Sequence, residues 1–208
     1  KEGLVTSVLV LTPTSLKYQW KCEIEKFTGD TGVVVIEGTH LKRREMYGAP
    51  GTYRIVSYNS ACNDIKILGK LECDLLIMDE VQRLKNWNTQ ISKAARRIVS
   101  NYSVILSGTP LENKLEELYS IVEFADQYAL SPYYKFRNDC ILTDDTGKVL
   151  GYQNLNAVGN KLKDILIRRR KKDVNLQLPA RMDQTILVPM TKEQMGIHDE
   201  FSNVVARL

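Results

Sequence analysis

The chain is 208 residues long, 43% hydrophobic and 26% charged, the balance of a globular protein with one good core or two small ones. Lys and Arg number 29 against 25 acids, a formal charge of +4 that permits a polyanionic partner without demanding one. This composition excludes collagen-like and disulfide-rich classes, and the longest apolar runs (Val8 to Leu11, Val33 to Ile36, Leu75 to Met78) are far too short to cross a bilayer. No basic segment followed by an apolar one opens the chain, so secretion and a membrane partner are not expected. Cys22, Cys62, Cys73 and Cys140 are scattered without a C-x-x-C pair, and only His40 and His198 accompany them, so a zinc site is not expected either. Such cysteines suit a reducing compartment, and the chain is expected to be cytoplasmic. The Asn101-Tyr102-Ser103 sequon then carries no weight.

Along the chain, short apolar runs alternate with amphipathic stretches. Ser7 to Leu11 predicts a strand closed by Thr12-Pro13, where proline removes a ladder donor. Leu16, Trp20, Ile24 and Phe27 then recur at helical spacing with Lys17, Lys21, Glu23 and Glu25 on other faces, and Gly29 stands where a helix ends. Strands are predicted at Val33 to Ile36 and Tyr53 to Tyr58, separated by a short charged segment from His40 to Met46. Leu75 to Met78 is continuously apolar, as a central parallel strand should be. Ile91, Ala94, Ala95 and Ile98 mark a helix, Ser103 to Leu106 a strand, and Leu115, Leu118 and Val122 the next helix. Strands alternating with helices give an α/β fold with a parallel sheet covered on both faces.

After about Ala125 the chain becomes polar and turn-rich, with Tyr133-Tyr134, Asp144-Asp145 and Gly147, and reads as an irregular insertion or linker. A helix through Leu155, Leu162 and Leu166 leads into the basic run Arg168 to Lys172, followed by a strand at Thr185 to Val188 and a helix from Lys192. No repeat or low-complexity tract occurs.

Ligands of open parallel sheets bind outside the carboxyl ends of the strands, which singles out three segments. The run from Asp74 to Met78 delivers Asp79-Glu80 to that edge. One carboxylate there can hold Mg²⁺, a hard cation preferring oxygen, while its neighbour orients and deprotonates an attacking water. Alternatively the two acids simply start a loop or cap a helix. Val104 to Leu106 ends in Ser107-Gly108-Thr109-Pro110, either an ordinary turn or two hydroxyls within reach of the acid pair. Thr12-Pro13-Thr14-Ser15 is either a hydroxyl cap or a phosphate-binding helix start.

Taken together these segments are more specific than any alone. The run Leu11-Thr12-Pro13-Thr14-Ser15-Leu16-Lys17-Tyr18-Gln19-Trp20, then Asp79-Glu80-Val81-Gln82-Arg83-Leu84-Lys85-Asn86, then Leu106-Ser107-Gly108-Thr109-Pro110-Leu111-Glu112-Asn113 resembles motifs Ia, II and III of superfamily 2 helicase-like ATPases. The likeness is greatest to the SWI/SNF family of double-stranded DNA translocases. Ile55-Val56-Ser57-Tyr58, Lys85-Asn86 and the block from Arg168 to Val174 with Leu178-Pro179 also fit it. The resemblance implies a RecA-like lobe working with a second lobe, ATP and Mg²⁺ as cofactors, duplex DNA as partner and protein cargo on that DNA. It implies Asp79 as the Mg²⁺ ligand and Glu80 as the group activating water, with Gln82, Ser107 and Thr109 coupling nucleotide state to lobe closure. Thr14 and Ser15, and further Ser57, Lys85, Arg169 and Arg170, would touch the DNA backbone.

On this reading residues 1–125 form a partial RecA-like ATP-binding lobe and 126–208 a family-specific insertion or linker that completes it. No G-x-x-x-x-G-K-[ST] occurs: Gly69-Lys70 and Gly147-Lys148 are followed by Leu and Val. The phosphate-binding loop is therefore expected before Lys1 and the second lobe beyond Leu208, so the 208 residues alone are expected neither to bind ATP well nor to hydrolyse it. Val81 departs mildly from the family's acid box and leaves both carboxylates in place. The basic run from Arg168 to Lys172 is either a phosphate contact or a solvated helix end tied to acids such as Asp164 and Asp173. Two rivals stand beside the motor: an RNA helicase of the same superfamily, against which Trp20 and the basic block argue, and a non-catalytic DNA- or protein-binding scaffold. The implied location is the nucleoid in a bacterium or the nucleus in a eukaryote.

Overall fold

Five short strands form one parallel sheet. In chain order they are β1 (Val8–Thr12), β2 (Val33–Val35), β3 (Tyr53–Ser57), β4 (Cys73–Met78) and β5 (Ser100–Ile105), and in space β2-β3-β1-β4-β5. The computed structural model describes residues 5–108, 114–169, 182, 184, 186 and 188–205, and the side chains of all of these except 200 and 202–205. Helices α1 (Lys17–Thr28), α2 (His40–Gly48), α3 (Tyr58–Asn63), α4 (Ile65–Leu68) and α5 (Gln90–Ala95) connect successive strands. Beyond β5 come α6 (Leu115–Ala125), α7 (Tyr133–Cys140), β6 (Ile141–Thr143), β7 (Val149–Tyr152), α8 (Leu155–Leu162) and α9 (Lys192–Val205). The α/β expectation is met.

Strand alternation builds two separate cores on the two faces of this sheet. Val8 and Val10 of β1, Val33 and Val35 of β2 and Ile55 of β3 bury against Ile24 of α1. Leu9, Leu11, Val56, Leu76 and Met78 point to the opposite face, under Ala61, Leu68, Ala95 and Ile121. All five residues of β1 are buried, so β1 is the middle strand, and β4, expected to be central, lies one place toward the edge. Leu75 and Ile77 of β4 are only half-buried and Tyr102, Val104 and Leu106 are exposed, because α1 covers β2, β3 and β1 and stops short of β5.

Helix α1 meets the expected face at Trp20 and Ile24 but not at Phe27. Its covered side runs through Lys17, Trp20, Lys21, Ile24 and Thr28, and Phe27, in the last turn and only about 20° around the helix from Trp20, does not share it. Phe27 is exposed, with Lys26 lying over its ring, whereas Lys17 is buried and ends on the Ile36 carbonyl (3.3 Å) and Glu37 (3.4 Å). Gly29 ends the helix in the left-handed region at φ 69°, as its position predicts.

The segment from His40 to Met46, read as a charged stretch, is helix α2, capped by the Thr39 hydroxyl, which accepts from Lys42 N. Its inner face is fixed by a buried ionic cluster. Asp64, whose side chain is fully buried, accepts from Arg43 Nε (2.6 Å), Arg43 Nη2 (2.7 Å) and Tyr47 Oη (3.2 Å), and His40 Nε2 lies 3.9 Å away. Burial and the Asp64 carboxylate raise the Tyr47 phenol well above its ordinary value, and the Asp64 hydrogen bonds raise the Arg43 guanidinium.

The stretch after Ala125, expected to be irregular, is ordered secondary structure. Tyr133, Phe136 and Cys140 sit three and four apart and make α7, and β6 and β7 pair antiparallel as a hairpin. Its loop closes on Asp144, whose Oδ1 accepts from the Thr146 hydroxyl (2.7 Å), Lys148 N (2.8 Å) and Thr146 N (3.0 Å), bonds that hold its carboxyl below the usual range. Phe136, Cys140, Ile141, Val158 and Leu162 share one core with Leu115, Leu118, Tyr119 and Val122 of α6, so the division expected at 125/126 falls inside a single packing unit. The chain divides instead into Lys1–Ile167 and Arg168–Leu208. In the second unit α9 starts on a reciprocal cap between Thr191 and Gln194. Of the strand expected at 185–188, Ile186 and Val188 are described and neither lies in a strand; the rest, with 170–181, lies outside the described residues.

Candidate active site

Because all five strands are parallel, Thr12, Ser57, Met78 and Ile105 end at one edge of the sheet. Asp79 continues β4 by one residue, its N–H donating to the Leu11 carbonyl at 2.8 Å. Alternation puts the Asp79 side chain on the same face as Ile77, the α1 face. There its Oδ2 accepts from Trp20 Nε1 at 2.8 Å and from the Thr12 hydroxyl at 3.4 Å. On the other face the Tyr58 hydroxyl donates to the Asp79 carbonyl at 2.6 Å. Burial, and after it the Asp79 carboxylate, raise the Tyr58 phenol above its ordinary value, so it stays a proton donor across the physiological range.

Glu80 is one of three non-glycine residues with positive φ among the described residues, at φ 52° and ψ 45°. A glutamate in this left-handed region costs roughly 1–3 kcal/mol and persists only where its surroundings fix it. Here they do. The next residue's N–H, that of Val81, donates to the Leu106 carbonyl (3.1 Å), and Val81 and Leu84 are fully buried. The left-handed residue turns the chain sharply out of β4 into the 3-10 turn Val81–Leu84.

A short hydrogen-bonded chain joins the two loops. Gln82 Nε2 donates to Glu80 Oε2, and Gln82 Oε1 accepts from the Ser107 hydroxyl at 2.8 Å. One amide thus reads the acid turn with its NH₂ and the β5 turn with its carbonyl. The acid pair is neither inside a helix nor distant from Ser107. Thr109 lies outside the described residues.

The loop that follows is fastened to α6. Lys85 Nζ lies 3.4 Å from Glu117, the Trp87 ring stacks on Tyr119 at 5.7 Å, and Arg96 sits between Trp87 (4.2 Å) and Phe124 (4.5 Å). Arg96 also pairs with Glu123 and donates to Ser120 Oγ at 3.0 Å, and burial lowers its guanidinium from the ordinary value. Trp87 and Tyr133 pack against each other, their ring centroids 5.6 Å apart.

Of the residues expected to meet DNA, Thr14 and Ser15 are exposed in the 3-10 turn Thr14–Leu16, and no hydrogen bond engages their hydroxyls among the described residues. Ser57 is 4% exposed and its hydroxyl caps α3, accepting from Ser60 N (3.3 Å), so its side chain is turned inward rather than toward a ligand. Arg169 is exposed in the second unit, and Arg170 lies outside the described residues. Trp20 and Tyr58, which with Thr12 hold Asp79, were not singled out as site residues by sequence, and Thr12 was read only as part of a cap or phosphate-binding helix start. The available signal was the two-residue alternation that aims Asp79 at α1.

No group of three His, Cys, Asp or Glu side chains that could hold a metal occurs among the described residues. The donor set at the strand edge is one aspartate with a neighbouring glutamate. That set suits Mg²⁺, which keeps several waters and takes one or two protein carboxylates together with substrate phosphates.

A parallel sheet with helices on its faces and an acid pair at its carboxyl edge has the architecture of a RecA-like α/β fold. The SNF2-related domain model matches residues 1–206, and the chain belongs to that family. It is 30% identical over 193 residues to an uncharacterized ATP-dependent helicase of Mycoplasma pneumoniae, covering 92% of this chain and 18% of that protein. It is 28% identical over 210 residues to the lymphoid-specific helicase of Homo sapiens, covering 93% of this chain and 25% of that one. Among solved structures it matches the Sulfolobus solfataricus SWI2/SNF2 ATPase core in complex with dsDNA, at TM-score 0.68 and 25% identity over 99% of this chain and 44% of that one. The chain thus spans a quarter or less of these curated relatives.

Proposed function

We propose that this chain is part of the first motor lobe of an SWI/SNF-type ATPase that hydrolyses ATP and moves along duplex DNA, displacing proteins bound there. The observation that carries this reading is the link from Glu80 through Gln82 to Ser107, which ties the acid turn of β4 to the turn after β5. Asp79 would hold Mg²⁺, which when bound neutralises phosphate charge. Glu80, with its carboxylate oriented by Gln82, would accept the proton of the attacking water. A change of charge at Glu80 would pass through the Gln82 amide to Ser107 and so to the loop that follows. Thr14 and Ser15, on the same sheet edge, would donate to DNA phosphates. The protein would work where DNA is, in a nucleoid or a nucleus.

Duplex DNA is expected to stimulate the ATPase of the full-length protein several-fold more than RNA of matched length. Equal or stronger stimulation by RNA contradicts the reading and favours the RNA-helicase rival. Absence of any ATPase favours the scaffold.

Alanine at both Thr14 and Ser15 is expected to weaken duplex DNA binding by about 5- to 30-fold, the loss of two hydrogen bonds of about 0.5–1 kcal/mol each. The slope of affinity against salt should not change, since no charge is removed. Unchanged affinity in a filter-binding titration excludes the two hydroxyls as contacts.

A further inference from the structure

Asp79 is held more tightly than a strand-end carboxylate needs to be. Its N–H and carbonyl are engaged by Leu11 and by the Tyr58 hydroxyl, and its Oδ2 receives Trp20 Nε1 at 2.8 Å with the Thr12 hydroxyl more distant at 3.4 Å. Both side-chain donors reach the same oxygen, and among the described residues none reaches Oδ1. The carboxylate borders an open cleft of about 310 Å³ whose other walls are Leu16, Gln19, Trp20 and Glu23.

We propose that Trp20 is a positioning residue for Asp79: its indole N–H fixes the carboxylate rotamer on one oxygen and leaves the other oxygen for a divalent cation. This rests on the reading of Asp79 as the Mg²⁺ ligand. The chemistry of the donor suits the task. An indole N–H donates only, so it cannot itself become a ligand or trade places with one. A bond from a neutral donor to an ionised acceptor is charge-assisted and directional, and it leaves the carboxylate its full negative charge. Thr12 alone is a weaker candidate, since its hydroxyl rotates and its separation is near the outer limit for a hydrogen bond.

The placement follows from the fold. Helix α1 follows β1 after only Pro13 and the 3-10 turn Thr14–Leu16, which keeps its first turn near the strand ends, and Trp20 packs among the apolar residues beneath α1. The ring is therefore anchored in the α1-side core while its one polar atom faces β4. Partners of this kind behind metal-binding groups typically alter affinity by about 10- to 100-fold when removed.

The test uses the full-length protein saturated with ADP and titrated with Mn²⁺, free Mn²⁺ being counted by electron paramagnetic resonance. Trp20→Phe, which keeps an aromatic ring and removes the N–H, is expected to raise the Mn²⁺ dissociation constant about tenfold or more. Asp79→Asn is expected to abolish tight binding. If Asp79→Asn abolishes binding and Trp20→Phe stays within twofold of wild type, the role of Trp20 is overturned while Asp79 remains the ligand. If Asp79→Asn leaves binding unchanged, both fall. A second measurement avoids any folding defect of the variant. In wild-type protein labelled with ¹⁵N-tryptophan, the indole resonance of Trp20 should shift on adding Mg²⁺ with ADP, and should not in Asp79→Asn. A Trp20 indole resonance that stays in place at saturating Mg²⁺ overturns the inference.

Discussion

Replacing Glu80 by Gln in the full-length protein is expected to lower ATP turnover by about 10²- to 10⁴-fold, the range lost with a positioned general base, while leaving duplex DNA affinity within about twofold. The substitution keeps size and shape, so the left-handed turn and the buried Val81 and Leu84 that stabilise it stay in place. What goes is the basic oxygen that Gln82 Nε2 orients. Thr14 and Ser15 belong to a different strand end and are unaffected by the change. Steady-state ATPase and an equilibrium DNA titration on the same preparation check both halves. A variant that still turns over at the wild-type rate removes Glu80 from its role.

The second large effect concerns stability rather than chemistry. Asp64→Asn is expected to destabilise this domain by about 3–5 kcal/mol, because it leaves the Arg43 guanidinium facing a neutral amide inside the fold. Arg43 is 12% exposed at its side chain and Asp64 0%, so water cannot compensate for the lost partner. For a domain of this size the corresponding fall in melting temperature is roughly 2–4 °C per kcal/mol, or about 6–20 °C in all. Differential scanning calorimetry of the full-length protein measures it. Replacing Asp64 and Arg43 together by Leu and Met should recover most of the loss, since a buried pair exchanged for apolar groups is often near neutral. A single variant as stable as wild type shows that the cluster linking α2 to Asp64 carries little weight.

The parallel sheet was legible because β1, β2 and β4 are built on short apolar runs and α1 and α5 have a readable period, whereas nothing marked α2, α3 and α4 as helices. β1 at Val8–Thr12 and the acid pair behind β4 needed no structure to find. The Asp64 cluster was not legible, since Arg43 and Asp64 are separated by 21 positions and nothing local marks them as partners. The segment after Ala125 misled because its polar composition hides its order. The buried face of α7 holds only Phe136 and Cys140, and the hairpin buries just Ile141 in the shared core. Phe27 misled in the opposite direction: it shares the helix face of Trp20, about 20° away, yet it is exposed, and spacing alone does not distinguish the two.

At the site, the types of residue at the strand ends were readable, as was the proximity of Ser107 to the acid turn. Which groups hold Asp79 was not. Trp20 lies 59 positions from Asp79, and the sequence assigns its ring to the apolar face of α1, where most of it does lie. Its N–H has a separate destination that periodicity does not encode. Ser57 shows the reverse. A hydroxyl at a strand end suggests a ligand, yet here it is a buried cap for the helix that follows.

The central claim is that Asp79 and Glu80 form the hydrolytic centre of a motor that moves on duplex DNA. Displacement of a third strand from a triplex tests it most directly, with the full-length protein started on the flanking duplex. The wild type with ATP and Mg²⁺ should release the third strand, and Glu80→Gln, bound equally well to the DNA, should not. Release by Glu80→Gln at the wild-type rate, or none by a wild type that hydrolyses ATP on the same DNA, would contradict the account.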